Sequence, residues 1–342
     1  MNFFLSGYYG YANAGDEAVL ASMLEALGAQ KRDATFTVTS GDPVATHALY
    51  GKQGVWAIGR QSPKALLAGI RACDVFLSGG GSLLQDVTSL RNAVYYTGLL
   101  RLARLSCKPT MIYAQGIGPL LRPLSRKLTR IAATHARAVT VRDKDSAQLL
   151  RRIGVRRPIE VTADPVWALT PDYVDPVTRR GVWLAGLRPW SAPGFELDSP
   201  TTVMRWHQAT AGKIMRYIPM QPHADAPAAQ PFLAAGDELV DTAGQHPSRI
   251  MAHCGAGEAM IAMRLHALIF ASAQGLPCVA INYDPKVQAL AEIIGAPLLE
   301  NLSAAELKRL PEAVAAAKPM GAEHLDELKK AALRNAEIAA NL

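Results

Sequence analysis

The chain is 342 residues long, 49% hydrophobic and 19% charged, with a formal net charge of +7 and a pI near 9.3. That length is more than one core usually serves and predicts two domains of about 150 residues each. The composition is that of a globular protein and excludes a disordered chain; the mild excess of base points to an anionic partner, a phosphorylated substrate or a membrane surface, and no block of consecutive Lys or Arg argues for nucleic acid.

Short strand-like runs alternate with helical ones from the start. The first strand, NFFLSG, leads into GYYGYANAGDEAVL. Gly7, Gly10 and Gly15 allow a tight turn and close approach of backbone to a ligand. Asn13 or Asp16 can cap the helix that follows. The spacing is not GxGxxG, so a dinucleotide fingerprint is rejected. An acidic pair beside a phosphate is unfavourable. Asp16 and Glu17, with Tyr9 and Asn13, therefore fit sugar hydroxyls better, or else the stretch is only a turn and a cap.

Strands TFTVTS and GVWAI and helix SPKALLAGIRA come next, then DVFLSGGGSLLQD. Three glycines after a strand predict backbone open to a ligand, which makes Gly80, Gly81 and Ser82 binding candidates. The P-loop lysine is missing, which argues against nucleotide hydrolysis. Gln85 and Asp86 read as the start of a helix. Helix LRNAVYYTGLLRLARLS leads to PTMIYAQGIGPL, where Gln115 lies beyond a strand. RLARLSCK and LLRPLSRKLTR space their bases at helical intervals, as a solvated face does. After helix PLSRKLTRIAATHA, AVTVRD ends a strand at Arg142, and helix KDSAQLLRRIG follows. Arg142 forms either a structural ion pair or a clamp on a carboxylate or phosphate. IEVTAD places Asp164 in the same way.

Leu169 to Gly181, with two prolines and no periodicity, reads as an interdomain linker. The alternation then resumes. VWLAGLRP, KIMRYIPM, SRIMAHC and PCVAINY read as strands, with helices near 200–211, 226–241, 264–274 and 286–294. Arg264 and His266 stand in the apolar run AMIAMRLHALIFASAQG, where burial without partners is costly. Either they form a structural ion pair, or a helix start holds an anion between Arg264 and its amides, with His266 as proton donor. Lys286 follows the next strand, in NYDPKV. Arg142, Arg264 and Lys286 together suit a small dianion or trianion. Residues 303–342 read as helical with a break at Pro319–Gly321.

The fold class is therefore α/β, with two Rossmann-like domains (1–172 and 180–315) facing a cleft and helices in 316–342 packing back on the first domain. Ligands of such folds bind at the carboxyl ends of the strands. The four cysteines are far apart, with no metal pair or disulfide framework, and read as thiols of a reducing cytosol. MNFFLSGYYG lacks a signal peptide's features. The longest apolar stretch is interrupted by Arg264, His266, Gly275 and Pro277, so no membrane span is expected.

GYYGYANAGDEAVL, LSGGGSLLQD, YAQGIGPL, VRDKDS, ADPVWAL, MRLHALIFA and YDPKV, in that order from residue 6 to about 287, together resemble the polysaccharide pyruvyl transferase family. The likeness is nearest to the bacterial branch that adds pyruvate ketals to secondary cell-wall polymers, which anchor S-layer proteins. It implies a GT-B-like fold, phosphoenolpyruvate as donor, and a lipid-linked saccharide acceptor met in the cytoplasm, with peripheral contact at the inner membrane face. By similarity Arg142, Arg264, Leu265 (through its backbone) and His266 bind the donor, and Lys286 lies near the same phosphate. Asp16 falls in the family's N-terminal acidic motif. His266 is then the candidate acid, Asp16 the candidate base and Arg142 a stabiliser of the leaving phosphate. Tyr9, Asn13, Asp16, Glu17, Gly80, Gly81, Ser82 and Gln115 are the acceptor-side candidates. No cofactor or metal is called for. The alternatives are a GT-B glycosyltransferase using a nucleotide sugar and a non-catalytic binder of sugar or lipid phosphate.

Overall fold

The computed structural model of the chain describes residues 1–87, 89–172, 181–192, 195–197 and 199–342, with only the backbone of Ala192, Phe195 and Glu196. Most of the linker expected at 169–181 thus lies outside the described residues. The chain divides into two compact units. One holds Met1–Tyr11, Asp16–Leu169 and Asp326–Leu342; the other holds Ala12–Gly15 and Thr170–Leu325.

The first unit runs β1 (Asn2–Tyr9), α1 (Ala14–Gln30), β2 (Thr35–Ser40), α2 (Pro43–Tyr50), β3 (Val55–Gly59), α3 (Pro63–Ala72), β4 (Val75–Ser78), β5 (Gly81–Leu84), α4 (Leu90–Leu105), β6 (Thr110–Ile117), α5 (Pro123–His135), β7 (Ala138–Val141), α6 (Lys144–Arg152) and β8 (Glu160–Val161). The strands are parallel, in the order β3-β2-β1-β4-β6-β7-β8, with β5 beside β6. The order reverses between β1 and β4, the switch point at which doubly wound sheets open for ligands. Both faces of such a sheet are covered, so its strands are apolar runs rather than alternating ones. Phe3, Phe4, Phe76 and Ile112 are wholly buried, and Phe4 stacks on Phe76 with ring centroids 5.1 Å apart.

The second unit repeats the plan: β9 (Val182–Gly186), β10 (Ser191–Ala192), β11 (Phe195–Glu196), α7 (Pro200–Ala209), β12 (Ile214–Tyr217), α8 (Pro222–Ala229), β13 (Glu238–Leu239), α9 (Pro247–Cys254), β14 (Ala259–Ala262), α10 (Leu265–Ser272), β15 (Cys278–Ile281), α11 (Pro285–Ile294), β16 (Leu298–Leu299) and α12 (Ala304–Ala316). Its parallel sheet is ordered β13-β12-β9-β14-β15-β16, and β10 and β11 pair separately. The switch point falls between β9 and β14. In the core, Trp206 Nε1 donates to the Tyr217 hydroxyl at 2.9 Å, which donates to Phe232 O at 2.8 Å. These bonds satisfy the polar atoms that two large aromatics bring inside.

Three expectations are corrected. SRIMAHC is helix α9, not a strand: Pro247 sits at its first turn, His246 caps it, and Ile250, Met251 and Cys254 bury one helical face. The strand is AMIA, Ala259–Ala262. Residues 226–241 are not one helix, because α8 ends at Ala229, Pro231 follows in a short 3-10 turn and the chain returns as β13. SLL after the glycine triplet is β5, and α4 begins only at Leu90, capped by Ser89.

The last helix, α13 (Ala322–Ala340), brings Asn335 wholly inside the first unit. Its Oδ1 accepts from the Thr162 hydroxyl at 2.9 Å, and its Nδ2 donates to Ala332 O at 2.9 Å. Asn335→Ala is expected to cost about 1–3 kcal/mol, the penalty for breaking buried hydrogen bonds. Urea unfolding at constant m-value measures it, and an unchanged midpoint would contradict this role.

Candidate functional site

In the second unit, chemistry-bearing side chains gather at the carboxyl ends of adjacent strands. Arg264, Leu265 and His266 follow β14 directly and begin α10. They are half-buried, while Ala267–Ser272 are fully buried. The local cause is apolar pressure on both sides: β14 lies in mid-sheet and α10 is buried along its length, so polar atoms fit only at the junction. There the first amides of the helix face outward and favour an anion.

Arg264 is held from behind. Its Nε donates to Asp225 Oδ2 at 2.9 Å, its Nη2 donates to Asp225 Oδ1, and Nη2 also reaches Gln221 Oε1 at 3.4 Å. Asp225 is 1% exposed, and its Oδ2 also accepts from the amides of Met220 and Gln221 at 3.0 and 2.9 Å. This fork-to-carboxylate pairing fixes the guanidinium plane. Of the two alternatives, the structure shows the ion pair, and it places Arg264 at the N-cap of α10.

Next to β14, the turn after β15 carries Tyr283, and Lys286 follows in the first turn of α11. Lys286 Nζ lies 3.6 Å from Asp284 and 5.7 Å from the Tyr283 ring. Arg188, after β9, stacks its guanidinium 4.6 Å from the same ring and donates to its hydroxyl at 3.0 Å. Residues 12–15 also belong to this unit. Ala14 N donates to Met220 O at 2.7 Å, and a Cβ on Gly15 would come within 2.0 Å of His266 Nδ1. Only glycine allows the ring to lie there.

In the first unit, Arg142 ends β7. It donates to Asp164 Oδ2 at 2.9 Å and to Ser82 Oγ at 3.1 Å, with Asp143 3.6 Å away. Asp143 caps α6 by accepting from Ser146 N. Asp16 lies half-exposed in the first turn of α1, while Asn13 Oδ1 accepts from Gly15 N at 3.1 Å and supplies the cap contact.

Several acceptor-side candidates turn out to face inward. Tyr9 is 1% exposed, with its hydroxyl on Met23 Sδ, because the strand's alternation turns it into the core. Gln115 is wholly buried and donates to Ser78 O and Oγ at 3.0 and 2.8 Å. Gly80 and Gly81 are buried too. A Cβ on Gly80 would meet Val19 at 2.8 Å, so that glycine serves the packing of α1 on the sheet. Asp86 is 1% exposed and holds the start of α5, accepting from Leu121 N at 2.6 Å, Arg122 N at 2.7 Å and the Ser125 hydroxyl. Burial works to raise its pKa, but these donors hold it below the usual value.

Glu17 is also buried, at 7% exposure. It accepts from Gly10 N at 2.7 Å and from the Tyr50 hydroxyl at 3.3 Å. Burial, helped by Asp16, pushes its carboxyl up to about 7 against the lowering effect of the Gly10, Tyr11 and Tyr50 donors. A folded pKa above the unfolded one means that the folded chain binds the extra proton. Stability is then expected to fall as pH rises from about 4.5 to about 7 and to level off above. Glu17→Gln should flatten that slope in melting temperature against pH, and a slope equal to the wild type's would rule Glu17 out as its source.

Sequence reasoning missed Asp225, Gln221, Arg188 and Tyr283, and in the first unit Arg60. The Arg60 guanidinium lies 4.6 Å from the Tyr95 ring and donates to the Tyr11 hydroxyl at 3.3 Å, and Tyr8 stacks on Tyr11 at 4.2 Å. These half-buried tyrosines, not Tyr9, are the ones at the surface. The tyrosine cluster in GYYGY was the available signal; Asp225 gave none, lying 39 residues from Arg264.

A family model described as polysaccharide pyruvyl transferase matches residues 13–285. No curated protein matches the chain. Among solved structures, a UDP-GlcNAc 2-epimerase from Methanocaldococcus jannaschii is similar with a TM-score of 0.66 at 11% identity, covering 100% of this chain and 99% of that one. The enzyme from Neisseria meningitidis, bound to UDP-GlcNAc, gives 0.64 at 11%, covering 100% of both. A putative UDP-N-acetylglucosamine 2-epimerase from Listeria monocytogenes gives 0.64 at 14%, covering 98% and 94%. At these identities the likeness is one of fold, two Rossmann-like units of the GT-B kind.

Proposed function

The chain belongs to the polysaccharide pyruvyl transferase family, and on that premise we propose that it transfers pyruvyl from phosphoenolpyruvate to a saccharide, forming a ketal and releasing phosphate. The observation that carries the proposal is the Arg264–Leu265–His266 junction at the switch point of the second sheet, with Arg264 braced by Asp225. A helix start, a fixed guanidinium and Lys286 in the first turn of nearby α11 suit a donor that carries both a carboxylate and a phosphate. Leu265 contributes its amide. Arg142 keeps the donor role that the family resemblance implies for it.

The chemistry balances without an external reagent. His266 gives a proton to the methylene carbon, which becomes the methyl group. One sugar hydroxyl adds to the central carbon as its proton passes to a base, for which Asp16 is the candidate. Phosphate leaves with the C–O bonding pair, stabilised by the arginines and Lys286. The second hydroxyl then closes the ketal and loses its proton. The acceptor proposed is a lipid-linked saccharide precursor of a bacterial secondary cell-wall polymer, met in the cytoplasm. Among the described residues no helix is long and apolar enough to cross a membrane.

The test is to incubate the protein with phosphoenolpyruvate and a synthetic disaccharide-lipid, following phosphate release and product mass. Acceptor-dependent phosphate with a ketal-pyruvate mass gain supports the reading. Turnover of a UDP- or GDP-sugar instead would identify a glycosyltransferase.

A further inference from the structure

Ten Lys and Arg and not one Asp or Glu lie between Asp86 and Asp143. That stretch holds α4 and α5, which pack against each other in the first unit. The outward side of α4 is a single stripe, Arg91, Val94, Gly98, Arg101 and Leu105, spaced three and four residues apart. On α5 the matching stripe is Leu124, Lys127 and Ile131, flanked by Arg126 and Arg130. The inward sides, with Leu99, Leu100, Ala103 and Ala133, belong to the core.

An ordinary solvated helix face intersperses acids with its bases and keeps large apolar side chains inside. This face does neither. Leu105 on α4 is 72% exposed and Leu124 on α5 48%, and Leu121, just ahead of α5, is 62% exposed. Among the described residues, Arg91, Arg101, Arg104, Lys127 and Arg130 form no ion pair. Apolar side chains alternating with unneutralised cations match the two layers of a lipid surface, acyl chains beneath anionic headgroups.

We propose that the α4–α5 face docks on an anionic lipid bilayer, with Leu105, Leu121 and Leu124 entering the headgroup boundary and the arginines and Lys127 contacting lipid phosphates. The long basic side chains reach past the apolar ones, so both contacts form together. Charge complementarity over an acid-free face selects this occupant over an uncharged protein surface. The reading is independent of the reaction proposed above, because it is measured as binding.

The experiment is co-sedimentation of the full chain with vesicles of phosphatidylcholine, with and without about one third phosphatidylglycerol. Pelleting with the anionic vesicles only is expected, lost at about 1 M salt, where charges are screened beyond about 3 Å. The variant Arg101→Glu, Arg104→Glu, Lys127→Glu, Arg130→Glu should bind at least about a hundredfold more weakly, since each surface base contributes severalfold. The variant Leu105→Ser, Leu121→Ser, Leu124→Ser should also weaken binding while keeping its salt dependence. Circular dichroism melting keeps the comparison to folded protein. No pelleting with anionic vesicles, or equal pelleting of wild type and both variants, overturns the proposal. So does light scattering that shows a wild-type dimer dispersed by the leucine variant, since a second copy would then own the face.

Discussion

His266→Ala is expected to lower the rate of phosphate release at saturating phosphoenolpyruvate by about 10²–10⁴-fold, the usual contribution of a positioned general acid. The expectation rests on where the ring is held. Its neighbour Arg264 is fixed by Asp225, the helix behind it is buried, and Gly15 leaves room for Nδ1 and for no side chain. A ring so confined loses little entropy on reaching its reacting geometry. Initial rates over a range of donor concentration separate the roles. A fall in kcat with KM unchanged fits proton transfer, whereas a rise in KM alone makes His266 a binding residue. Near wild-type kinetics would remove it from the site.

Asp225→Ala carries the second large effect, and on two readouts. Removing one partner of a buried ion pair costs about 3–5 kcal/mol, because the other charge is left without compensation. Here the loss is compounded, since the amides of Met220 and Gln221 lose their acceptor as well. A large drop in the urea midpoint is therefore expected. With Arg264 no longer braced, the donor KM should also rise. Arg264→Lys separates the two effects: it keeps a charge near Asp225 but has no planar fork. If Arg264→Lys leaves both stability and donor KM unchanged, the bidentate geometry has no functional weight.

The fold was legible because alternating apolar runs and helical periods survive even where individual elements are misread. TFTVTS is β2 to the residue. SRIMAHC misled because a short apolar run bounded by polar residues satisfies either period, and only the packing of Ile250, Met251 and Cys254 on one face decides for a helix. The site was legible in part. Arg264 and His266 stood out as polar side chains in an apolar run, and the structure puts them at the start of α10. Gly80, Gly81 and Tyr9 misled for a common reason. A glycine that admits a ligand and one that admits the neighbouring helix look alike in sequence, and GYYGY does not say which tyrosine points inward. Glu17 read as a partner for sugar hydroxyls and Asp86 as the start of a helix, but both are buried, each answering backbone amides far off in the chain or across a turn. Asp225 was invisible because its meaning depends on a partner brought beside it only by the parallel sheet.

The assignment of Asp326–Leu342 to the first unit has a consequence for how the chain is made. During synthesis the sheet of that unit leaves the ribosome first, yet Asn335, wholly buried there with Ala336, follows 173 residues after its partner Thr162. The second unit, apart from residues 12–15, is a continuous stretch and can close as soon as Leu325 has emerged. Order of synthesis and order of completion are thus reversed: the half that is born first waits, without α13, until the second unit has been made. Contacts spanning such separations form slowly, and partly closed intermediates are prone to aggregate. The emergence of α13, after the whole second unit, sets the moment at which the first core becomes complete.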